Sequence, residues 1–233
     1  MDSTQFNRQA WDNIATSRHR WFTPCTADEI EVAREGQVSF RVTACKTVPA
    51  RWIGDVKDRR VLVLAGGGGH QGPLLAAAGA DVTVVDFSDE QLAIDRRVAE
   101  THQLKLKTVC ADMSSLDAFG DQHFDLVINP CSVNFVAVVP PVWLEAARVL
   151  RVGGVLITGL IQPVNFLFDA GKRDRGQLEV RFRIPYSDLD LPEEERDRTI
   201  GPERPIDFGH SLTDLLGAQL AAGFHPTDPP SDR

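Results

Sequence analysis

The sequence predicts a doubly wound α/β fold on a mainly parallel sheet, with an N-terminal helical segment, and three observations carry this. Several short apolar runs are continuous rather than alternating, which is how strands read when helices cover both faces of a parallel sheet. From residue 60 onward these runs alternate with segments of helical spacing. The first run, Val61-Leu62-Val63-Leu64, passes through Ala65 into four glycines, Gly66 to Gly69, and on to Pro73, which suits a first helical turn.

Taken in order, residues 1–55 hold three of the four tryptophans, Trp11, Trp21 and Trp52. Phe6, Ala10 or Trp11, and Ile14 fall at helical spacing, and Thr26 with Glu29 three residues later forms a capping box opening a second helix. This segment is expected either to lie over a substrate pocket as a lid or to dock its aromatics on the main core. The first strand is Arg60–Leu64, and its helix, near Pro73–Ala78, stops at Gly79. Val82–Asp86 is the second strand. Ser88 and Gln91 read as a capping box for a helix running to about Thr101. Lys107–Val109 and Phe124–Ile128 are the third and fourth strands. A helix over Pro140–Leu150 is expected to end at Gly153-Gly154, followed by a fifth strand, Val155–Gly159.

Residues 169–207 change character, with charge-rich stretches at Asp169–Arg175 and Glu193–Arg198 punctuated by Pro185, Pro192, Pro202 and Pro205. Gln177–Tyr186 is expected as one extended strand in a surface excursion, either a flap or a solvated insertion. Ser211 and Asp214 cap a last amphipathic helix with Leu212, Leu215, Leu216 and Leu220 on one side. The expected division is 1–55 as an N-terminal helical lid segment, 56–165 as the α/β core, and 166–233 as insertion, last helix and short tail of the same domain.

The 233 residues carry a formal net charge of -8, which argues against a general phosphate-backbone binder and so against nucleic acid as partner. No apolar run approaches the roughly 18 residues needed to span a bilayer, and the N-terminus lacks signal-peptide character. Cys25, Cys45, Cys110 and Cys131 are far apart with no CxxC pair, and the histidines show no metal-ligand spacing. A cytoplasmic protein with buried free thiols, no metal and no membrane partner is expected.

Gly67-x-Gly69-x-x-Gly72 matches the dinucleotide fingerprint, with Asp86 about where an acid for the ribose hydroxyls stands. Nicotinamide dinucleotides and S-adenosyl-L-methionine (SAM) share that pattern. Asp86 as helix N-cap is the competing reading, but Ser88 already supplies the cap. Cys110-Ala111-Asp112-Met113 places a second carboxylate beside an apolar side chain, suited to an adenine amino group and ring face. The alternative for Asp112 is a cap on a short helix through Ser115. A Tyr-x-x-x-Lys pair for dehydrogenase chemistry is missing: the only tyrosine, Tyr186, has Asp190 at the fourth place.

The succession VLVLAGGGG, VTVVDFS, VCADM, FDLVINP and ARVLRVGG resembles the class I SAM-dependent methyltransferases, a Rossmann-like family, in the branch with UbiE-like small-molecule methylases. The resemblance covers roughly residues 55 to 165 and is fairly specific for SAM, not for the substrate. It implies methyl transfer from SAM to a small-molecule acceptor of unidentified O, N, S or C type. Ala65, Gly66, Gly67 and Gly69 would approach the amino-acid end and ribose, and Asp86 would hold the ribose hydroxyls. Phe87, Asp112 and Met113 would surround the adenine, and Asn129 would line the site near the methyl group.

Three departures stand out. The family acid before the glycine run is replaced by Val63 and its first glycine by Ala65, so His70 or Gln71 is expected to contact the amino or carboxylate group, unless both are simply solvated. Asn129-Pro130-Cys131-Ser132 begins like the Asn-Pro-Pro-aromatic element of amino-group methyltransferases but departs at its third and fourth places. The C-terminal strand pair is expected to be truncated, because only ten residues follow Gly223 and three are proline. That leaves a sheet edge open to homodimer formation. His70, His19 and His210 are base candidates by residue type, none placed by the sequence. An NAD(P)-dependent oxidoreductase and a non-catalytic SAM-binding protein are the competing functions.

Overall fold

The computed structural model describes residues 2–17, 23–44 and 46–227. His19, Trp21, Cys45 and two of the C-terminal prolines, Pro229 and Pro230, lie outside the described residues. Helix α1 (Ser3–Thr16) starts at Asp2, whose side chain accepts the amides of Thr4 and Gln5. Helix α2 (Ala27–Arg34) opens with the expected capping box, Thr26 and Glu29 satisfying each other's backbone amides. A short α3 (Ala50–Ile53) leads to β1 (Arg60–Leu64), α4 (Gln71–Ala77), β2 (Asp81–Asp86), α5 (Asp89–Thr101), β3 (Leu106–Cys110) and β4 (Phe124–Asn129). Then come α6 (Pro140–Val149) and β5 (Leu150–Thr158).

The five strands form one parallel sheet in the order β3-β2-β1-β4-β5. The reversal of order beside β1 is the switch point of a doubly wound fold, where the carboxyl ends of the strands open a crevice. Successive residues of β1 explain its continuous apolar run. Val61 and Val63 enter one core with Ile30, Phe40, Leu74, Leu75 and Leu92. Leu62 and Leu64 enter the core on the opposite face, with Phe124, Trp143 and Val149. The glycine turn therefore emerges from a fully buried strand end.

Several expectations need correction. Helix α6 ends at Val149, because Leu150 is already extended and pairs with Phe124. β5 thus begins before Gly153, whose positive φ of 74° marks the irregular register, and pairing is regular from Val155 onward. Gln177–Tyr186 does not form one strand. It makes a single bridge, Phe168 to Val180, and only Tyr186 enters a strand, β6 (Tyr186–Ser187). The excursion also holds α7 (Ala170–Arg173) and α8 (Glu193–Thr199), and β6 pairs antiparallel with β7 (Phe208–Gly209) in a separate sheet. That small pair does not extend the main sheet, which ends at β5, so the expected loss of the closing strand pair holds among the described residues.

Ser211 and Asp214 do cap the last helical stretch, which opens as a π turn, Thr213–Gly217, and continues as α9 (Ala218–Ala221). Its four leucines do not share a face, since Leu215 is buried while Leu212, Leu216 and Leu220 are exposed. The wider π turn shifts the 3.6-residue spacing on which that expectation rested. Among the described cysteines only Cys25 is buried; Cys131 is half-buried and Cys110 exposed. No helix among the described residues is long and apolar enough to cross a membrane. No group of three His, Cys, Asp or Glu among them could hold a metal ion.

Candidate functional site

The turn between β1 and α4 is shaped by contacts with its own protein. A Cβ on Gly66 would meet Val63 Cγ1 at 2.6 Å, and one on Gly67 would meet the Cβ of Gln91 at 2.8 Å. Gly69, at φ 78°, packs on Ile94 and Val98 of α5. Gly67 and Gly69 thus let the turn lie against α5, and Gly66 lets it pass Val63 and Pro130. Ala65 stands where the resembling family has glycine, and it holds a left-handed φ of 51°. Such a conformation costs a side chain on the order of 1 kcal/mol.

The amides of the turn point inward. Gly67 N–H donates to Asp86 Oδ2 at 3.0 Å. Gly68 N–H donates to Asp95 Oδ2 at 2.8 Å and, less closely, to the Gln91 carbonyl at 3.2 Å. Asp86 also accepts the Ser88 amide on Oδ1 at 2.9 Å. Ser88 Oγ accepts the Gln91 amide at 3.1 Å, so Ser88 and not Asp86 caps α5. The capping box is only half made, since the Gln91 side-chain amide donates instead to the Trp11 carbonyl at 3.4 Å.

Two buried carboxylates therefore stand behind the turn. Burial pushes Asp86 up to about 6, against the lowering effect of the Ser88 and Gly67 amides. Burial likewise pushes Asp95 up to about 7, and the neighbouring Asp86 charge adds to the shift. Asp95 escaped the sequence reading. Its signal was an acid on the buried stripe of α5, one turn from Gln91 and Leu92 and one turn before Ala99.

The remaining expected residues are distributed around this centre. Phe87 is half-buried at the end of β2. Asp112 accepts the amide and hydroxyl of Ser114 at 2.7 and 2.6 Å, both on Oδ1. It forms a local turn at Ser114 rather than a helix cap through Ser115. Met113 is 8% exposed and its sulfur accepts the Ser132 hydroxyl. Asn129 is fully engaged: its amide donates to Leu64 O and Ser132 Oγ, and its oxygen accepts from Thr158 Oγ1. It stitches β4 to its two neighbours.

Gln71 donates its side-chain amide to the Arg41 carbonyl at 2.9 Å. His70 is held below its ordinary value by burial, between the opposed influences of Glu29 and Arg41. His210 is buried with Nε2 3.1 Å from the Val133 carbonyl, so its ring is used structurally. Thiols are raised by burial, Cys25 to about 12 and Cys131 to about 11, which makes both poor nucleophiles at neutral pH.

The N-terminal segment reaches this centre. Asp12 Oδ1 accepts the Ser88 hydroxyl at 2.6 Å, and Cys25 N–H donates to Gly69 O at 2.9 Å. On the other flank, Asn7 donates to Phe135 O and Ile206 O and accepts the Ile206 amide at 2.7 Å. Asn134 donates to Asp207 at 2.6 Å, and Tyr186 donates to Asp188 at 2.6 Å. The loop after β4 is thereby tied to both α1 and the β6–β7 pair.

Comparison with known proteins agrees with this geometry. A family model described as "Methyltransferase domain" matches residues 62–158. The chain is 44% identical over 219 residues to the uncharacterized methyltransferase YbaJ of Bacillus subtilis, covering 94% of this chain and 86% of that protein. It is 34% identical over 116 residues to the ubiquinone/menaquinone biosynthesis C-methyltransferase UbiE of Paracoccus denitrificans, spanning under half of each chain (48% and 46%). Among solved structures, a SAM-dependent methyltransferase from Mesorhizobium loti superposes with a TM-score of 0.57 at 20% identity, over 74% of this chain and 77% of that one.

Proposed function

Because this chain belongs to the class I SAM-dependent methyltransferases, we infer that it transfers the methyl group of SAM to a small-molecule acceptor bound at the carboxyl end of β4. The observation that carries the choice of ligand is the inward turn. A pyrophosphate needs outward-facing amides at a glycine turn, but the Gly67 and Gly68 amides are consumed by Asp86 and Asp95. A phosphate would meet two carboxylates instead of donors. SAM carries no phosphate and a net positive charge, so the same surface suits it. The competing dinucleotide reading loses its physical basis here.

SAM supplies an electrophilic methyl on a sulfonium, and the protein's work is alignment and exclusion of water. We assign the ribose hydroxyls to Asp86, whose two oxygens each retain a lone pair beyond their backbone bonds. The adenine is assigned to Phe87, Asp112 and Met113, with the unused Asp112 oxygen accepting its amino group. Residues 65–69 form the floor under the amino-acid end. Asn129 acts through the strand ends it joins, and His70 and Gln71 border the turn without supplying the charge absent at Val63.

The acceptor is placed against the loop after β4, beside the β6–β7 pair and α1. There Asp207 is pushed up to about 6 by burial, which makes it the candidate proton acceptor for an acidic acceptor group. The division into lid segment, core and excursion follows from the same placement, with residues 1–55 forming the cover. We read the protein as cytoplasmic, and the lack of a nucleic-acid partner in this reading accords with its net charge of -8. Pairing of two copies along the outer edge of β5 is the reading of its assembly, supported by the exposure of Val152 on that strand, which pairs with β4 on one side alone.

The test is incubation with methyl-labelled SAM and a panel of phenols, quinols, amines, thiols and carboxylic acids. Label transferred to one of these classes supports the reading. SAM bound with no transfer to any class favours the non-catalytic alternative.

A further inference from the structure

Asp95 is wholly buried, on the α5 face beneath the turn. A carboxylate there is costly unless its oxygens are paired. Only one is: Oδ2 takes the Gly68 amide, while Oδ1 has no hydrogen-bond partner. The Gly69 amide is turned toward the carboxylate and favours its ionised form. Gly72 of α4 is close enough that a Cβ there would lie 3.3 Å from Oδ1. A neutral side chain of similar size would satisfy Gly68 equally well, so the turn's shape alone does not require a charge. Among the described residues no cation neutralises it either: the titratable groups around it there are Asp86 from β2 and Cys25 from the strand of chain before α2. Beyond the turn, His70 faces Glu29 and Arg41 and is held toward its neutral form by burial.

We propose that Asp95 is a positioning residue for the cofactor: it holds the turn's amides inward and places behind them a negative charge that selects a cationic ligand. The inference rests on SAM occupying this turn. Asp95 acts through Gly68 and Gly69 and does not touch the ligand. Among the described residues its charge has no counterion, and a net-positive ligand above the turn supplies one. SAM fits that requirement, whereas 5′-methylthioadenosine, which keeps the nucleoside but has neither sulfonium nor amino-acid end, does not.

Asp95→Asn keeps an acceptor for the Gly68 amide and removes only the charge. Titration calorimetry of the full chain at about pH 8, where the carboxylate is ionised, is expected to show SAM affinity falling tenfold or more in this variant. Affinity for 5′-methylthioadenosine is expected to stay within twofold. Equal losses for both ligands would assign Asp95 to turn structure alone, and no loss for SAM would remove its role; either overturns the proposal. A wild-type measurement covers the case in which the variant fails to fold. SAM affinity relative to 5′-methylthioadenosine should fall as pH is lowered through the titration of Asp95 and Asp86, and a flat ratio overturns the proposal. Wild-type protein that binds 5′-methylthioadenosine but not SAM would instead overturn the cofactor assignment.

Discussion

Asp95 takes the Gly68 amide at 2.8 Å from beneath the glycine turn, and this bond turns the fingerprint of a phosphate cradle into a surface that faces its ligand with negative charge behind it. The same four glycines would serve a dinucleotide if their amides pointed outward. Their direction is set by Asp86 and Asp95, and we propose that it selects the ligand.

Asp86→Ala is expected to weaken SAM binding at least tenfold, about 1.4 kcal/mol. The side chain is assigned to the ribose and also anchors Gly67 and Ser88. Titration calorimetry, with circular dichroism to confirm folding, checks this. Unchanged affinity in a folded variant would remove Asp86 from the site.

The ligand-free protein should lose stability as pH rises from about 4 to about 7. Asp86 and Asp95 are both raised from an ordinary value of 3.8, to about 6 and about 7. Their protonated forms favour the fold, so the contribution is complete below the unfolded value and is lost as pH passes through the folded ones. Denaturant unfolding at several pH values should show this slope, shallower in Asp95→Asn. An identical slope in that variant contradicts the assignment.

Ala65→Gly is expected to stabilise the protein by about 1 kcal/mol, because φ of 51° is strained for alanine and free for glycine. The gain in unfolded-chain entropy opposes it in part. A lower denaturation midpoint in the variant would show that the strain is small.

Asn7→Ala is expected to cost about 2 kcal/mol, since it leaves buried backbone groups of Ile206 and Phe135 without partners. The unfolding midpoint should drop with little change in denaturant slope. A loss below about 0.5 kcal/mol would mean that α1 is only loosely docked.

Much of this was legible in the sequence because burial on both sheet faces writes strands as continuous apolar runs. β1, β2 and β4 were placed to within a residue, and the Thr26–Glu29 capping box formed as expected. What failed depended on nonlocal partners. Leu150 left the helix to pair with Phe124, and Gln177–Tyr186 found no neighbouring strand to pair with along its length. At the site, the pattern Gly67-x-Gly69-x-x-Gly72 located the turn but could not show which way its amides face. That direction comes from Asp86 at Gly67 and, at Gly68, from Asp95, twenty-six residues after Gly69, whose place on an apolar helix stripe was its one local sign.

Titration calorimetry of the wild-type chain with SAM, and separately with NAD, tests the central claim most directly. The account predicts saturable one-to-one binding of SAM and no measurable heat with NAD. Well-folded protein that binds NAD and not SAM would contradict it.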